Sequence, residues 1–226
     1  MSGIRRVWIT RAEPGATRTA AHLEGLGFIP VVVPLLAVSP IAQARPDLAG
    51  VAALAFTSRN GVAAFAALTP ERGRPVFTVG DATAEAARAA GFAEVRSAAG
   101  ALEALARMLT AEGPRDGVVL APGALEPAGD LRALVDEAVA LRRLPVYRAR
   151  ETGAAAPPEF DAVLVHSPRA GRALAALGPF AGQVAVAISV AAAAPLTAGS
   201  GLELRVAAHP DEAALVAALG KPAPPV

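Results

Sequence analysis

The chain repeats itself at long range. "LAFTSRNGVAAFAAL" (54–68), "VFTVGDATAEAARAAGF" (76–92) and "VRSAAGALEALARML" (95–109) return in the same order as "VLVHSPRAGRALAAL" (163–177), "VAVAISVAAAAPLTAGSG" (184–201) and "LRVAAHPDEAALVAAL" (204–219). The offset is about 110 residues, far beyond the roughly 20 to 50 of a solenoid repeat, so it marks duplicated domains. At the same offset "VWITRAEPGATRTAAHLEGLGFIPVVVPLLAV" (7–38) matches the shape of "VVLAPGALEPAGDLRALVDEAVALRRLPVYRA" (118–149), giving the order A-B-A′-B′. Two similar domains follow, and 226 residues suffice to give each a core.

Within each repeat, short apolar runs alternate with longer helix-patterned segments. The runs are "VWIT" (7–10), "FIPVVVP" (28–34), "ALAFTS" (53–58), "VFTVG" (76–80), "VVLAPG" (118–123), "LPVY" (144–147), "AVLVHS" (162–167) and "VAVAIS" (184–189). They are too continuously apolar for a sheet with one wet face, so the fold class is α/β, with parallel sheets covered by helices on both sides. In "AGALEALARMLTAEG", Leu102, Leu105 and Leu109 share one face, Glu103 and Arg107 pair on another, and Gly113 ends the helix. Asp211 is placed to cap a helix that stops at Gly220, leaving "KPAPPV" as a frayed tail.

"PLLAVSPIAQARPD" (34–47) and "YRARETGAAAPPEFD" (147–161) follow strands, lack helical periodicity and read as crossings between domains. The expected boundaries are a discontinuous domain of 1–36 plus 158–226, an inserted domain of 41–147, and linkers at 37–40 and 148–157.

Several function classes lose their support. No apolar run reaches the roughly 18 residues of a membrane span, and the first 15 residues carry Arg5, Arg6, Arg11 and Glu13 rather than a leader pattern, which predicts a soluble, cytoplasmic protein. The chain has no cysteine, and its three histidines, His22, His166 and His209, lack metal-ligand spacing, so no metal is expected. All but one of the 21 basic residues are arginine, the exception being Lys221. They are interleaved with acidic residues and accompanied by few aromatics, which argues against nucleic acid, whereas guanidinium groups suit carboxylates. There is no phosphate-binding GxxxxGK[ST], no dinucleotide GxGxxG after the first strand and no GxSxG elbow. His166 and Ser167 are adjacent on a strand and point to opposite faces, so they do not form a direct pair.

Ligands of parallel sheets collect at the carboxyl ends of the strands, where helix N-termini offer N–H groups. Those ends carry Thr10 and Arg11, Thr57, Ser58 and Asn60, Asp81 and Thr83, Ser167 and Arg169, and Ser189. As a set they suit an anionic ligand, although Ser, Thr, Asn and Asp also serve there as helix caps. Tyr147, the only tyrosine, ends the run "LPVY" and is either a packing residue or a hydroxyl facing the gap between domains.

Four motifs in order carry a resemblance: Phe56-Thr57-Ser58-Arg59-Asn60-Gly61-Val62, Val79-Gly80-Asp81-Ala82-Thr83, the segment from Leu131 to Val146-Tyr147, and Ser167-Pro168. With the opening "VWITRAEPGATRTAAHLEGLGF", the chain resembles the uroporphyrinogen-III synthase family over nearly its whole length. The resemblance implies two α/β domains joined by two linkers, with the active site in the cleft between them. It implies cyclisation of hydroxymethylbilane, a linear tetrapyrrole with eight carboxylates, with loss of water and inversion of the fourth ring through a spiro intermediate. No cofactor is implied, because the reactivity belongs to the substrate. Thr10, Arg11, Thr57, Ser58, Asn60, Thr83, Ser167, Arg169 and Ser189 become the expected substrate-binding residues, and Tyr147 the expected catalytic residue that helps the hydroxyl leave. A monomer is implied, with transient hand-over of substrate from hydroxymethylbilane synthase. One departure is Ser189-Val190-Ala191-Ala192, where many family members carry a Gly-Pro-Thr-Thr-like turn. It leaves a second reading, a two-domain binding protein that holds a polycarboxylate or tetrapyrrole without chemistry.

Overall fold

A computed structural model describes residues 3–41, 43–196 and 199–224. It divides into a terminal unit, Met1–Ala37 with Arg150–Val226, and an inserted unit, Val38–Ala149. In chain order the first elements are β1 (Arg6–Ile9), α1 (Gly15–Gly25), β2 (Ile29–Val32), β3 (Leu36–Pro40), β4 (Val51–Phe56), α2 (Arg59–Leu68), β5 (Val76–Thr78), α3 (Asp81–Ala89) and β6 (Val95–Ser97). Then come α4 (Leu102–Glu112), β7 (Val118–Ala124), β8 (Leu141–Glu151), β9 (Ala162–Val165), α5 (Pro168–Ala175), β10 (Val184–Ala187), α6 (Val190–Ala193), β11 (Glu203–Val206) and α7 (Glu212–Ala217).

The terminal unit is built on a five-stranded sheet ordered β11-β10-β9-β1-β2, with all four neighbouring pairs parallel. Its strands alternate between two cores, as their period of two requires. Val7, Ile9 and Leu164 face α1 and α7 through Leu23 and Leu215, while Trp8, Val163 and Val165 face α5 and α6 through Leu174 and Ala192. Trp8 is fully buried; its indole N–H donates to the carbonyl of Val33 at 2.8 Å, and its ring meets that of Phe160 edge-on at 5.1 Å. The apolar body is thus buried with its one polar group satisfied.

The inserted unit has a six-stranded sheet ordered β3-β8-β7-β4-β5-β6. Ala53, Ala55 and Phe77 pack on Leu105 and Leu109 of α4, where Leu131, Val135 and Val139 join them. Leu54, Phe56 and Leu120 pack on the other side against Val62 and Phe65 of α2 and Ala87 of α3. The α/β class read from the sequence therefore holds in both units, with helices on both faces of sheets that are parallel except at β3, which runs antiparallel to β8.

Three segments differ from the sequence expectations. Residues 37–40 lie in β3 and 148–151 in β8, so much of the expected linker is strand. The counterpart of α1 in the second repeat, residues 125–140, forms turns instead of a regular helix. There Asp130 accepts the N–H of Arg132 and Asp136 that of Ala138, local bonds that compete with helical ones, and Pro127 and Gly129 precede them. The expected frayed tail is tied as far as Ala223, whose N–H donates to the carbonyl of Ile4 at 2.9 Å.

Phe65 is fully buried and meets Phe56 and Phe92 at centroid distances of 5.8 and 6.5 Å. Phe65→Ala should lower the stability of the inserted unit by about 3 to 5 kcal/mol, read as a drop in the denaturant midpoint. A change below about 1 kcal/mol would mean that the site collapses around the missing ring.

Candidate functional site

In the inserted unit the chain runs from β4 outward to β5 and β6 on one side, and from β7 outward to β8 on the other. The order reverses between β4 and β7, and their carboxyl ends form the kind of crevice in which parallel sheets bind ligands. Thr57 and Ser58 lie just past β4, and Pro122, Gly123 and Ala124 close β7. A small hollow here is lined by Ala55, Thr57, Gly123, Leu131, Arg143 and Pro145. Thr57 is exposed.

Ser58 is the N-cap of α2. Its backbone is extended and its Oγ accepts the N–H of Gly61 at 3.1 Å. A Cβ on Gly61 would stand 2.9 Å from the carbonyl oxygen of Pro122, so glycine is what lets the first turn of α2 lie against the end of β7. Asn60, the second residue of α2, is half-buried.

Tyr147 reaches this place through an irregularity. Along β8, Leu141 packs on the α4 side of the sheet, whereas Leu144 and Val146 pack on the side of α2. Strict alternation would return Tyr147 to the α4 side. The register with β7 shifts instead, from Gly123 opposite Pro145 to Ala124 opposite Tyr147, and Val146 is the extra residue. Such a bulge re-aims the side chain that follows it. Tyr147 is 8% exposed and packs with Val146 beside Ala64 and Leu68 of α2, and its hydroxyl lies 3.0 Å from Ser58 Oγ. The structure thus joins two of the expected residues, Ser58 and Tyr147, 89 positions apart.

Thr83, third in α3, is buried, and its N–H donates to the carbonyl of Gly80 at 3.0 Å. Arg143 is the residue that the sequence reading missed. The residue lines the hollow with Thr57, and its guanidinium donates to the carbonyl of Leu125 at 3.3 Å. The available signal was its place just before the run "LPVY" that ends at Tyr147, but only the fold brings it beside Thr57.

The terminal unit reverses its strand order between β1 and β9. Ser167 repeats the Ser58 geometry closely: φ and ψ are −164° and 158° against −160° and 152°, and its Oγ accepts the N–H of Ala170 at 3.1 Å. Ser189 caps α6 in the same manner through the N–H of Ala192 at 3.3 Å, and the next residue, Val190, is 75% exposed. Arg169, second in α5, is half-buried. Thr10 is fully buried, and its hydroxyl donates to the carbonyl of Leu164 at 2.7 Å, tying the ends of β1 and β9 together.

Arg11 lies in a polar cluster with α7. Its guanidinium donates to Glu212 at 2.7 Å and to Thr19 Oγ1 at 3.3 Å; Thr19 donates to Glu212 at 2.5 Å, and His166 Nε2 is 3.3 Å from the same carboxylate. Burial raises the pKa of Glu212, but the hydrogen bond and charge of His166, the hydroxyl of Thr19 and the charge of Arg11 outweigh it and bring the value down to about 2. A carboxylate of the chain itself therefore sits at this strand-order reversal, and Arg11 is engaged with it.

The architecture and the paired serine turns can be set beside known proteins. A family model described as uroporphyrinogen-III synthase HemD matches residues 17–217. The chain belongs to the uroporphyrinogen-III synthase family. Its members are lyases of tetrapyrrole biosynthesis. Among solved structures, a uroporphyrinogen-III synthetase from Helicobacter pylori is similar at 18% identity, covering 95% of this chain and 97% of that one, with a TM-score of 0.64. A mutant uroporphyrinogen III synthase from the extremely thermophilic bacterium Thermus thermophilus is similar at 18% identity over 94% and 96% of the two chains, with a TM-score of 0.56. At these identities the likeness is one of fold. No curated protein matches the chain. Among the described residues, no helix is long and apolar enough to cross a membrane.

The Glu212 cluster predicts a pH dependence of this family member's stability. Because the folded pKa lies below the ordinary 4.5, the cluster stabilises the fold above pH 4.5, and that contribution is lost as the pH falls toward about 2. Discounted for partial exposure it amounts to about 2 kcal/mol. Glu212→Gln should lose that amount at neutral pH and flatten the decline of stability with acid, measured by denaturant melts between these limits. Equal acid slopes in the two proteins would remove the cluster as the cause.

Proposed function

We propose that this chain closes hydroxymethylbilane to uroporphyrinogen III, with Tyr147 as the acid that assists departure of the hydroxyl. The family match over residues 17–217, which spans both units, carries the reading.

The chemistry asks little of the protein beyond orientation and one proton. As the substrate C–O bond breaks, its electron pair stays on oxygen, and the Tyr147 proton joins that oxygen to leave as water. The azafulvenium left behind loses its pyrrole N–H proton, which restores the phenol. The substituted carbon of the fourth ring then attacks the azafulvene to give the spiro intermediate, which fragments and recloses with that ring inverted. A phenol is protonated at neutral pH and can donate to a leaving oxygen. Closure without inversion competes, so holding the chain in the productive geometry matters, and orientation contributes up to roughly 7 to 11 kcal/mol in well-arranged systems.

Substrate carboxylates are held in this reading by Thr57, Asn60, Arg143 and Arg169 and by N–H groups at the serine-capped turns. Ser167 and Ser189 Oγ contribute by fixing those turns, since each already accepts a backbone N–H. Ala191 and Ala192 stand where the family turn carries hydroxyls, and Val190 beside them is exposed and apolar, which leaves binding at that turn to the backbone. The enzyme acts as a cytoplasmic monomer and receives its unstable substrate directly from a hydroxymethylbilane synthase.

Tyr147→Phe keeps the ring and deletes the acid. The rate of type III formation should fall about a hundredfold with KM little changed, measured on freshly made hydroxymethylbilane. Wild-type turnover in this variant would take Tyr147 out of the chemistry.

A further inference from the structure

The oxygen of Ser58 has one proton and two lone pairs to distribute. Gly61 N–H takes one lone pair at 3.1 Å, and the Tyr147 hydroxyl, at 3.0 Å, takes either the other lone pair or the proton. The two arrangements differ in what they do for Tyr147. When the phenol has given up its proton, its oxygen needs a donor, and Ser58 O–H is in place to be one. The donors then run in a single direction: Gly61 N–H to Ser58, Ser58 O–H to Tyr147, Tyr147 O–H to the departing oxygen. Each bond in such a chain polarises the next, and this one starts at the N-terminus of α2, the end of a helix that favours negative charge.

We infer that Ser58 is a positioning residue for Tyr147, orienting the phenol and donating to it as its proton leaves, rather than an anchor for a substrate carboxylate. The inference rests on the reading of Tyr147 as the acid. With its proton committed to the phenol, Ser58 has no donor left for a carboxylate. Two independent features serve the pair. Gly61 permits the close approach of α2 to Pro122 that puts its N–H against Ser58, and the bulge at Val146 turns Tyr147 toward α2. Ser167, the counterpart of Ser58 in the other repeat, makes the same cap bond to Ala170. A cap alone therefore needs no tyrosine, and the phenol contact is the addition made in the inserted unit.

The test uses the fact that Tyr147 is the chain's only tyrosine, so phenolate ultraviolet absorbance reports on it alone. In Ser58→Ala the pH midpoint of that absorbance should move up by about one unit, the loss of one charge-assisted hydrogen bond. The kcat for type III product should fall about tenfold with KM unchanged. Ser58→Thr, whose hydroxyl suits the extended backbone at this position, should restore both. Ser58→Gly removes the hydroxyl with little damage to the helix start and should repeat the Ser58→Ala result, which separates the effect from a failure to fold. A raised KM with unchanged kcat and absorbance midpoint would return Ser58 to the carboxylate anchors and overturn the inference. Slow turnover in Tyr147→Phe together with wild-type kcat and midpoint in Ser58→Ala would overturn it while leaving Tyr147 as the acid. Wild-type turnover in Tyr147→Phe would instead overturn the reading on which the inference rests, whatever Ser58→Ala does to the absorbance.

Discussion

A parallel sheet buried on both faces leaves a polar side chain few places except beyond the ends of its strands. Both units obey this constraint, and the rest of their chemistry follows from it. β4, β9 and β10 are almost entirely buried, and each is followed at once by a turn whose serine caps the next helix. The hydroxyl turn is the cheapest way out of an apolar strand, because one side chain satisfies a helix N–H and marks the point where solvent begins. Duplication then supplied such turns to two units, where they took different paths. The terminal unit placed its own carboxylate, Glu212, against Arg11, Thr19 and His166. The inserted unit placed a phenol against its serine.

That phenol is the one side chain whose position depends on breaking the regular pattern. Without the extra residue in β8, Tyr147 would belong to the α4 side of the sheet, away from the first turn of α2. With it, the hydroxyl sits beside Ser58 and the N-terminus of α2. In the proposed reaction, whose reactivity resides in the substrate, little more than this is asked of a general acid, and the remaining demand is for orientation.

The sequence made the architecture legible because short, continuously apolar runs and an offset repeat are written directly in residue types. Phe56, Trp8 and Leu164, each in a run read as a strand, lie in the cores. The helix over 102–112 and the cap at Asp211 were readable for the same local reason. What was not legible depended on contacts distant in sequence or on a single-residue register shift. Residues 34–40 look like a linker because prolines and short apolar pairs give no period, yet their partner is β8, about a hundred residues away. Residues 125–140 keep apolar Leu131, Val135 and Val139 at helical spacing, while the aspartate turns between them win locally. At the candidate site, Ser58 and Tyr147 were each visible as residue types, but their bond was not. Arg11 was visible as a cation, but its engagement with Glu212, 201 positions on, was not.

The central claim is that this arrangement directs ring closure with inversion. Its most direct test is to supply freshly made hydroxymethylbilane to the intact chain and separate the uroporphyrinogen isomers after oxidation. The account predicts that type III predominates over the type I formed in a protein-free blank. Type I alone, at the rate of the blank, would contradict it.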